Sequence, residues 1–355
     1  MFRTSDFDYH VPHELIAQEP LKDRAAARLL ALDRKTGAVT HTVFSKVGEF
    51  LRPGDLLVMN DTKVMPFRLT GERSASGGKI EVLLVEPVEK SAHPLRWLAM
   101  TRSGGKLRVG DTLKLCGGAS AVLAERRGED GDVVDIELPE RYGGDVYGYL
   151  ADCGITPLPP YIERGRKGED TPDDREYYQT VYAKVPGASA APTAGMHFTE
   201  GLLAELRRRD IQTAYITLHI GPGTFRPVKG DDITKHHMHS EAYAISEEAA
   251  EKVNETRASG GRVVAVGTTV VRTLEATAAK DGVLRAGEGR TDIFIYPPFN
   301  FRMTDALITN FHLPKSTLLM LVAAFAGRDR ILDAYREAVE RKYRFFSYGD
   351  AMLII

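Results

Sequence analysis

Residues 262–280, RVVAVGTTVVRTLEATAAK, read as a strand, a one-glycine turn and a helix. Val263–Val266 is a short apolar run, Gly267 breaks it, and Val270, Val271 and Leu274 then recur at helical spacing. The same alternation continues on both sides. Helix-like TEGLLAELRRRD precedes the strand IQTAYITL, and SEEAAEKVNETRASGG precedes RVVAVG. TDIFIY and ALITNF follow as strands, STLLMLVAAFAG and RILDAYREAVERKY as helices. Strands alternating with helices predict an α/β domain: a mixed or parallel sheet with helices on its faces.

Upstream, RLLALD and DLLVMND read as strands of the same kind, with a short helix near Ser45–Leu51 between them. From Val64 the character changes. KIEVLLVEPV, LRWLAMT, DTLKLC, SAVLAERR and DVVDIELP are short β runs, with no helical period until about Asp145. They predict a small antiparallel barrel or sandwich. Because α/β character precedes it, the block reads as an insertion. The expected division is a discontinuous large α/β domain, residues 1–65 and 155–355, and an inserted small β-barrel, residues 66–154. Thr156–Asp174, rich in Pro and charge, reads as a connection.

Composition narrows the function classes. At 355 residues, two domains are the default. Lys+Arg 47 against Asp+Glu 49 leaves −2, so an RNA partner would be met by a local basic face. The candidates are Arg164–Lys167, Arg207–Arg209 and Arg341–Arg344, each of which singly also reads as solvated surface. Cys116 and Cys153 make neither a disulfide framework nor a metal box. MFRTSDFDYHVPHEL lacks a signal-peptide apolar run, and Leu318–Ala326 is too short to span a bilayer, so a cytoplasmic protein is expected.

The chemistry-bearing residues fall at element ends. Gly267, Thr268 and Thr269 open a helix and suit an anion, with Arg272 one turn in. The structural alternative is a Thr269 cap and an Arg272–Glu275 pair. In LHIGPGTFRPV, His219 ends a strand, Gly221, Gly223 and Thr224 form the turn, and Arg226 lies beyond. Ligands favour that strand edge in open α/β sheets. PTAGMH supplies Gly195 and His197. In KHHMHSE, ending at Glu241, His236 and His239 would share a helical face, but no second cluster completes a metal site, so acid–base work is expected instead. TNFHLPKSTL places His312 and Lys315 at the same probable edge, with Phe311 as core and Ser316 as helix cap. YRFFSYGDAM sets Arg344 and Tyr348 among aromatics, a composition that also stacks bases. His197, His219 and His312 are expected to converge on one cleft with the Gly221–Thr224 turn.

These motifs, together with DFDYHVPHELIAQEP, GDLLVMNDTKVMPFRL, SGGKIEVLL, LPPYI, YQTVYA, PGASAAPTAGMHFT and FIYPP, resemble the S-adenosylmethionine:tRNA ribosyltransferase-isomerase family of queuosine biosynthesis. Residues 86–146 match only in pattern. Asn60-Asp61-Thr62-Lys63 stands where Asn-Asn-Thr-Arg is expected, and Pro298 where a glycine is expected. The resemblance implies a cytoplasmic, monomeric, metal-free enzyme with S-adenosylmethionine as co-substrate and no prosthetic group. Its partner would be tRNA carrying 7-aminomethyl-7-deazaguanine at the wobble position. The cofactor's ribosyl part moves to the aminomethyl group and rearranges to an epoxycyclopentane, while adenine and methionine leave. On this reading His197, His219, His312 and Glu241 are catalytic candidates. Gly221, Gly223, Thr224, Gly267, Thr268, Thr269 and Arg272 would bind the cofactor; Arg344, Lys315 and Tyr348 would bind RNA. The competing readings are a methyltransferase using the same cofactor and a non-catalytic RNA-binding module, the latter disfavoured by the balanced charge.

Overall fold

The computed structural model describes the chain apart from residues 1, 90, 129–130, 226–227, 229 and 279–281. Its strands are β1 (Arg28–Leu32), β2 (Val39–Val43), β3 (Leu56–Asn60), β4 (Thr62–Val64), β5 (Arg68–Arg73), β6 (Lys79–Pro87), β7 (Arg96–Ser103), β8 (Thr112–Leu115) and β9 (Ser120–Arg126). They continue as β10 (Asp132–Glu137), β11 (Val185–Ala188), β12 (Gln212–Leu218), β13 (Glu241–Ile245), β14 (Val263–Val266), β15 (Gly287–Thr291), β16 (Ala306–Asn310) and β17 (Ala351–Ile354). The helices are α1 (Val146–Cys153), α2 (Glu163–Lys167), α3 (Pro172–Tyr177), α4 (Glu200–Arg208), α5 (Glu247–Ala258), α6 (Thr268–Thr277), α7 (Thr317–Ala326) and α8 (Arg328–Glu340).

Two compact units result, the first made of Met1–Lys63, Glu176–Val185 and Ala191–Ile355, the second of Val64–Arg175 and Pro186–Ala190. The second contains a closed barrel in the order β10-β7-β6-β5-β8-β9, all pairs antiparallel. Closure leaves no unpaired edge. Alternation along β6 turns Ile80, Val82 and Leu84 inward onto Trp97 and Phe67, whose rings meet edge-on at 5.2 Å. Tyr149 and Leu150 of α1 join the same core.

The first unit is built on a nine-stranded mixed sheet, β15-β13-β12-β3-β14-β16-β17-β1-β2. At its centre β12, β3, β14 and β16 run parallel. β3 and β14 are buried at every position, as strands covered on both faces must be. Leu57, Met59, Val264, Val266 and Ile308 pack one face against Phe44, Phe198, Leu202 and Leu206. Thr199, Ser246 and Ser316 cap α4, α5 and α7 through their hydroxyls.

Two expected elements are corrected. TDIFIY is not a strand. The ladder with β13 uses the polar run Gly287–Thr291, while Phe294 and Tyr296 spend their apolar character on each other, centroids 4.8 Å apart. His236 and His239 share no helix either, because residues 236–240 have no helical backbone and Glu241 begins β13.

Candidate active site

The carboxyl ends of the four parallel strands gather the polar residues of the first unit. Asn60, fully buried at the end of β3, ties them together. Its Nδ2 donates to the Leu218 carbonyl (2.9 Å) and to Thr269 Oγ1 (3.3 Å). Its Oδ1 accepts from Leu218 N (3.0 Å) and Thr62 N (3.1 Å). One amide thus fixes the ends of β12 and β3 and the start of α6. Thr62 then holds His219, with Oγ1 and Nδ1 2.8 Å apart. Beside it, Thr217 donates to Asp61 (2.6 Å), whose carboxyl is pushed up by burial and drawn back by that bond, by Lys184 and by His219.

Helix α6 starts on Gly267, whose φ of +100° and ψ of 151° suit a residue without a side chain. Its N–H is used by the Ile308 carbonyl (2.8 Å), and no side chain caps the helix. Thr268 and Thr269 are buried there. The uncapped, buried N-terminus carries the positive end of the helix dipole. Arg272 does not pair with Glu275, which instead accepts from the backbone of Arg302 (2.8 Å) and Met303 (3.1 Å) and from Thr304 Oγ1 (2.8 Å). Arg272 donates from Nη1 to Glu241 and from Nε to the Ile293 carbonyl (3.3 Å). Glu241 also accepts from Gly221 N (3.1 Å), joining the Gly-Pro-Gly turn to α6.

In that turn only Gly223 is forced by contact, since a Cβ there would stand 2.3 Å from His239 Cδ2. Gly221 faces open space. Thr224 lies in the 3-10 turn Pro222–Phe225 and its side chain is outside the described residues, as is Arg226. His236 packs edge-on against Phe294, centroids 5.3 Å apart, and burial lowers its pKa. Among the described residues no group of three or more His, Cys, Asp or Glu could hold a metal ion.

His197 ends a 3-10 turn, Thr193–His197, and is buried. Its Nε2 meets Asn310 Nδ2 at 3.3 Å, at the end of β16, and its ring lies 5.1 Å from that of Phe44. Burial, then Arg344 and Arg24, bring its pKa down to about 4. His312 is turned back into the protein: Nε2 bonds Thr309 Oγ1 (2.8 Å), its N–H donates to Tyr335 Oη (3.0 Å), and burial lowers its pKa to about 3. The edge therefore brings His219 together with the Gly221–Gly223 turn, Gly267–Thr269, Arg272 and Glu241, and His197 together with Asn310. His312 follows the same edge in sequence, but its ring is spent on the core.

Of the expected RNA contacts, Lys315 is exposed and pairs with Asp8 at 2.8 Å. Arg344 is half-buried and donates to the Glu19 carbonyl, while Tyr348 is buried edge-on against Tyr178, centroids 5.8 Å apart. Asn60, Thr62 and Asn310 stood in the sequence motifs without a role of their own, and Arg24 stood outside them. An Asn closing an apolar strand, as in LLVMN and ALITN, was the available signal. Asn310 Oδ1, Arg272 Nη2 and Tyr182 Oη are among the buried side-chain atoms without a hydrogen-bond partner among the described residues.

Residues 4–354 match the family model described as queuosine biosynthesis protein. The S-adenosylmethionine:tRNA ribosyltransferase-isomerase of Thermoanaerobacter sp. (strain X514) is 49% identical, over 99% of this chain and 100% of its own. That of Symbiobacterium thermophilum is 51% identical over the same shares. The crystal structure of S-adenosylmethionine tRNA ribosyltransferase from Thermotoga maritima superposes with a TM-score of 0.54 at 39% identity, covering 99% of this chain and 100% of that one. No described helix is long and apolar enough to cross a membrane. With end-to-end matches at half identity, the chain belongs to the queuosine biosynthesis protein family.

Proposed function

We propose that this chain is an S-adenosylmethionine:tRNA ribosyltransferase-isomerase, which transfers the ribosyl part of its co-substrate to the 7-aminomethyl-7-deazaguanine wobble base of tRNA, forming epoxyqueuosine and releasing adenine and methionine. The full-length correspondence with relatives of that name carries the reading. We take it to work in the cytoplasm as a monomer, without metal or prosthetic group.

The site suits the reaction's demands. The sulfonium acidifies the neighbouring ribose carbon, so a base removes a proton there. We assign that step to His219, which is half-exposed at the strand edge and whose ring is held by Thr62. Adenine leaves once a ring nitrogen is protonated. Burial lowers His197 to about 4 and His312 to about 3, so both rings are uncharged imidazoles at neutral pH in the free protein. The substrate amine attacks in its uncharged form. The buried start of α6 with Arg272 suits the cofactor's carboxylate, and Glu241 orients that arginine. A wobble nucleotide lies in a single-stranded loop, so turning its base outward costs little.

The test incubates the protein with S-adenosylmethionine and tRNA bearing the aminomethyl base. Adenine and methionine in equal amounts support the reading. S-adenosylhomocysteine would make it a methyltransferase, and RNA binding without products a binding module.

A further inference from the structure

The barrel unit holds both cysteines of the chain, 37 residues apart in sequence, and the fold brings them to one spot. Cys116 begins the 3-10 turn Cys116–Gly118 that follows β8, and Cys153 is the last residue of α1. Both are free thiols and half-buried, while Gly117, Gly118, Ala151 and Asp152 beside them are exposed. Cys116 Sγ donates to the Cys153 carbonyl at 3.2 Å. From the other side, a Cβ on Gly117 would stand 2.2 Å from Cys153 Sγ, which puts that sulfur within about 4 Å of the Gly117 Cα. Two tyrosines bracket the pair. Tyr149 Oη lies 3.8 Å from Cys116 Sγ and donates to the Cys116 carbonyl at 3.0 Å. Tyr142 Oη lies 3.7 Å from Cys153 Sγ, and the two rings meet edge-on, centroids 5.4 Å apart.

Each sulfur therefore touches the stretch of backbone that carries the other. That is the approach a disulfide needs, since its Cα atoms lie only about 4.4–6.8 Å apart. The site is also reachable from solvent, unlike that of a structural cysteine enclosed in a core. Burial raises the Cys116 pKa, with the Cys153 thiol a smaller cause in the same direction, so Cys116 suits the second of two exchange steps.

We propose that Cys116 and Cys153 form a reversible modification site, a thiol pair that low-molecular-weight disulfides such as oxidised glutathione close into an intrachain disulfide. The Cys153 thiolate attacks one sulfur of the oxidant and expels one small thiolate. The Cys116 thiolate then attacks Cys153 Sγ in the mixed disulfide and expels the second. The pair gives up two electrons and two protons, which end on the two small thiols released. The new bond fastens the end of α1, whose Tyr149 and Leu150 lie in the barrel core, to the turn after β8. Disulfides that form in a reducing compartment are transient and report on oxidant.

The test equilibrates the native full-length protein in glutathione buffers of stepped oxidised-to-reduced ratio, quenches with acid, alkylates the remaining thiols and maps the peptides by mass. The urea-unfolded chain is treated alongside. The folded chain should lose both alkylatable thiols, with the Cys116 and Cys153 peptides joined, and dithiothreitol should restore both. At equal buffer ratio its linked-to-reduced ratio should exceed that of the unfolded chain by about tenfold or more, because the folded pair has no loop left to close. Cys116→Ser, which lacks the second step, should stop with one glutathionyl group on Cys153. A folded native chain that keeps both thiols, carries two glutathionyl groups, links chain to chain, or links no more readily than the unfolded one overturns the proposal. So does a folded Cys116→Ser whose Cys153 stays unmodified; should that variant not fold, the native equilibrium decides alone.

Discussion

Arg272 and Glu241 form a buried ion pair, side chains 3% and 6% exposed, that joins α6 to the start of β13 although the residues are 31 apart in sequence. Removing one partner leaves a charge buried alone. Arg272→Ala should therefore cost about 3–5 kcal/mol of stability, beyond any loss of cofactor affinity. Arg272→Met with Glu241→Gln should cost less than the sum of the two single changes. Urea unfolding of both singles and the double measures the coupling. Strict additivity would show that the pair is not coupled.

Asn60 satisfies four hydrogen bonds at the junction of three elements. Asn60→Ala strands the Leu218 backbone groups and Thr62 N–H in a buried place. The expected loss is about 2–3 kcal/mol, accompanied by slower turnover as His219 loses its fixed support. Denaturation and adenine release, measured on one preparation, check both.

Two histidines set an acid limit on stability. Burial brings His197 to about 4 and His312 to about 3 in the folded chain, below the 6.5 of a free imidazole. Between those limits the unfolded chain binds the extra protons. Stability is thus complete above about pH 6.5 and falls as pH drops toward the folded values, by up to about 1.4 kcal/mol per pH unit for each ring. His312→Gln should flatten the fall between pH 6 and roughly 4. Urea midpoints across that range test it, and an unchanged slope would mean that His312 is not a buried neutral ring.

Gly267 holds φ at +100°. Gly267→Ala should cost about 1–3 kcal/mol of backbone strain and turn the first N–H groups of α6 away from the edge. Calorimetry should show weakened S-adenosylmethionine binding. Native-like affinity would move the cofactor carboxylate away from α6.

The α/β frame was legible in residues 262–277 because a β-branched run, one glycine and a helical period have a single common reading. The barrel was legible from alternation in stretches such as Lys79–Pro87. β17 was not foreseen. AMLI is too short to signal a strand alone, and it becomes one by pairing antiparallel with β16 and parallel with β1. β15 was misplaced because edge pairing is a backbone matter that polar Gly287–Thr291 can satisfy. In the site, glycines and histidines stood out by type. Their partners did not, since neither Asn60 nor the Arg272–Glu241 pair follows a local spacing rule. Local spacing had offered Glu275 to Arg272, but the backbone at residues 302–303 had the stronger claim on that carboxylate.

His219 is the imidazole assigned to proton removal. His219→Gln should lower kcat about 10²–10⁴-fold while leaving S-adenosylmethionine affinity close to native. A variant with undiminished turnover would transfer that step to another group.

The central claim is that the ribose of S-adenosylmethionine, and not its methyl group, ends on tRNA. Two labelled forms of the co-substrate, one in the ribose carbons and one in the methyl carbon, should be given to the native protein with tRNA bearing the aminomethyl base. The nucleosides should then be analysed by mass. The account predicts ribose label in the modified nucleoside and methyl label in free methionine. Methyl label on the RNA, or no label there from either form, would contradict it.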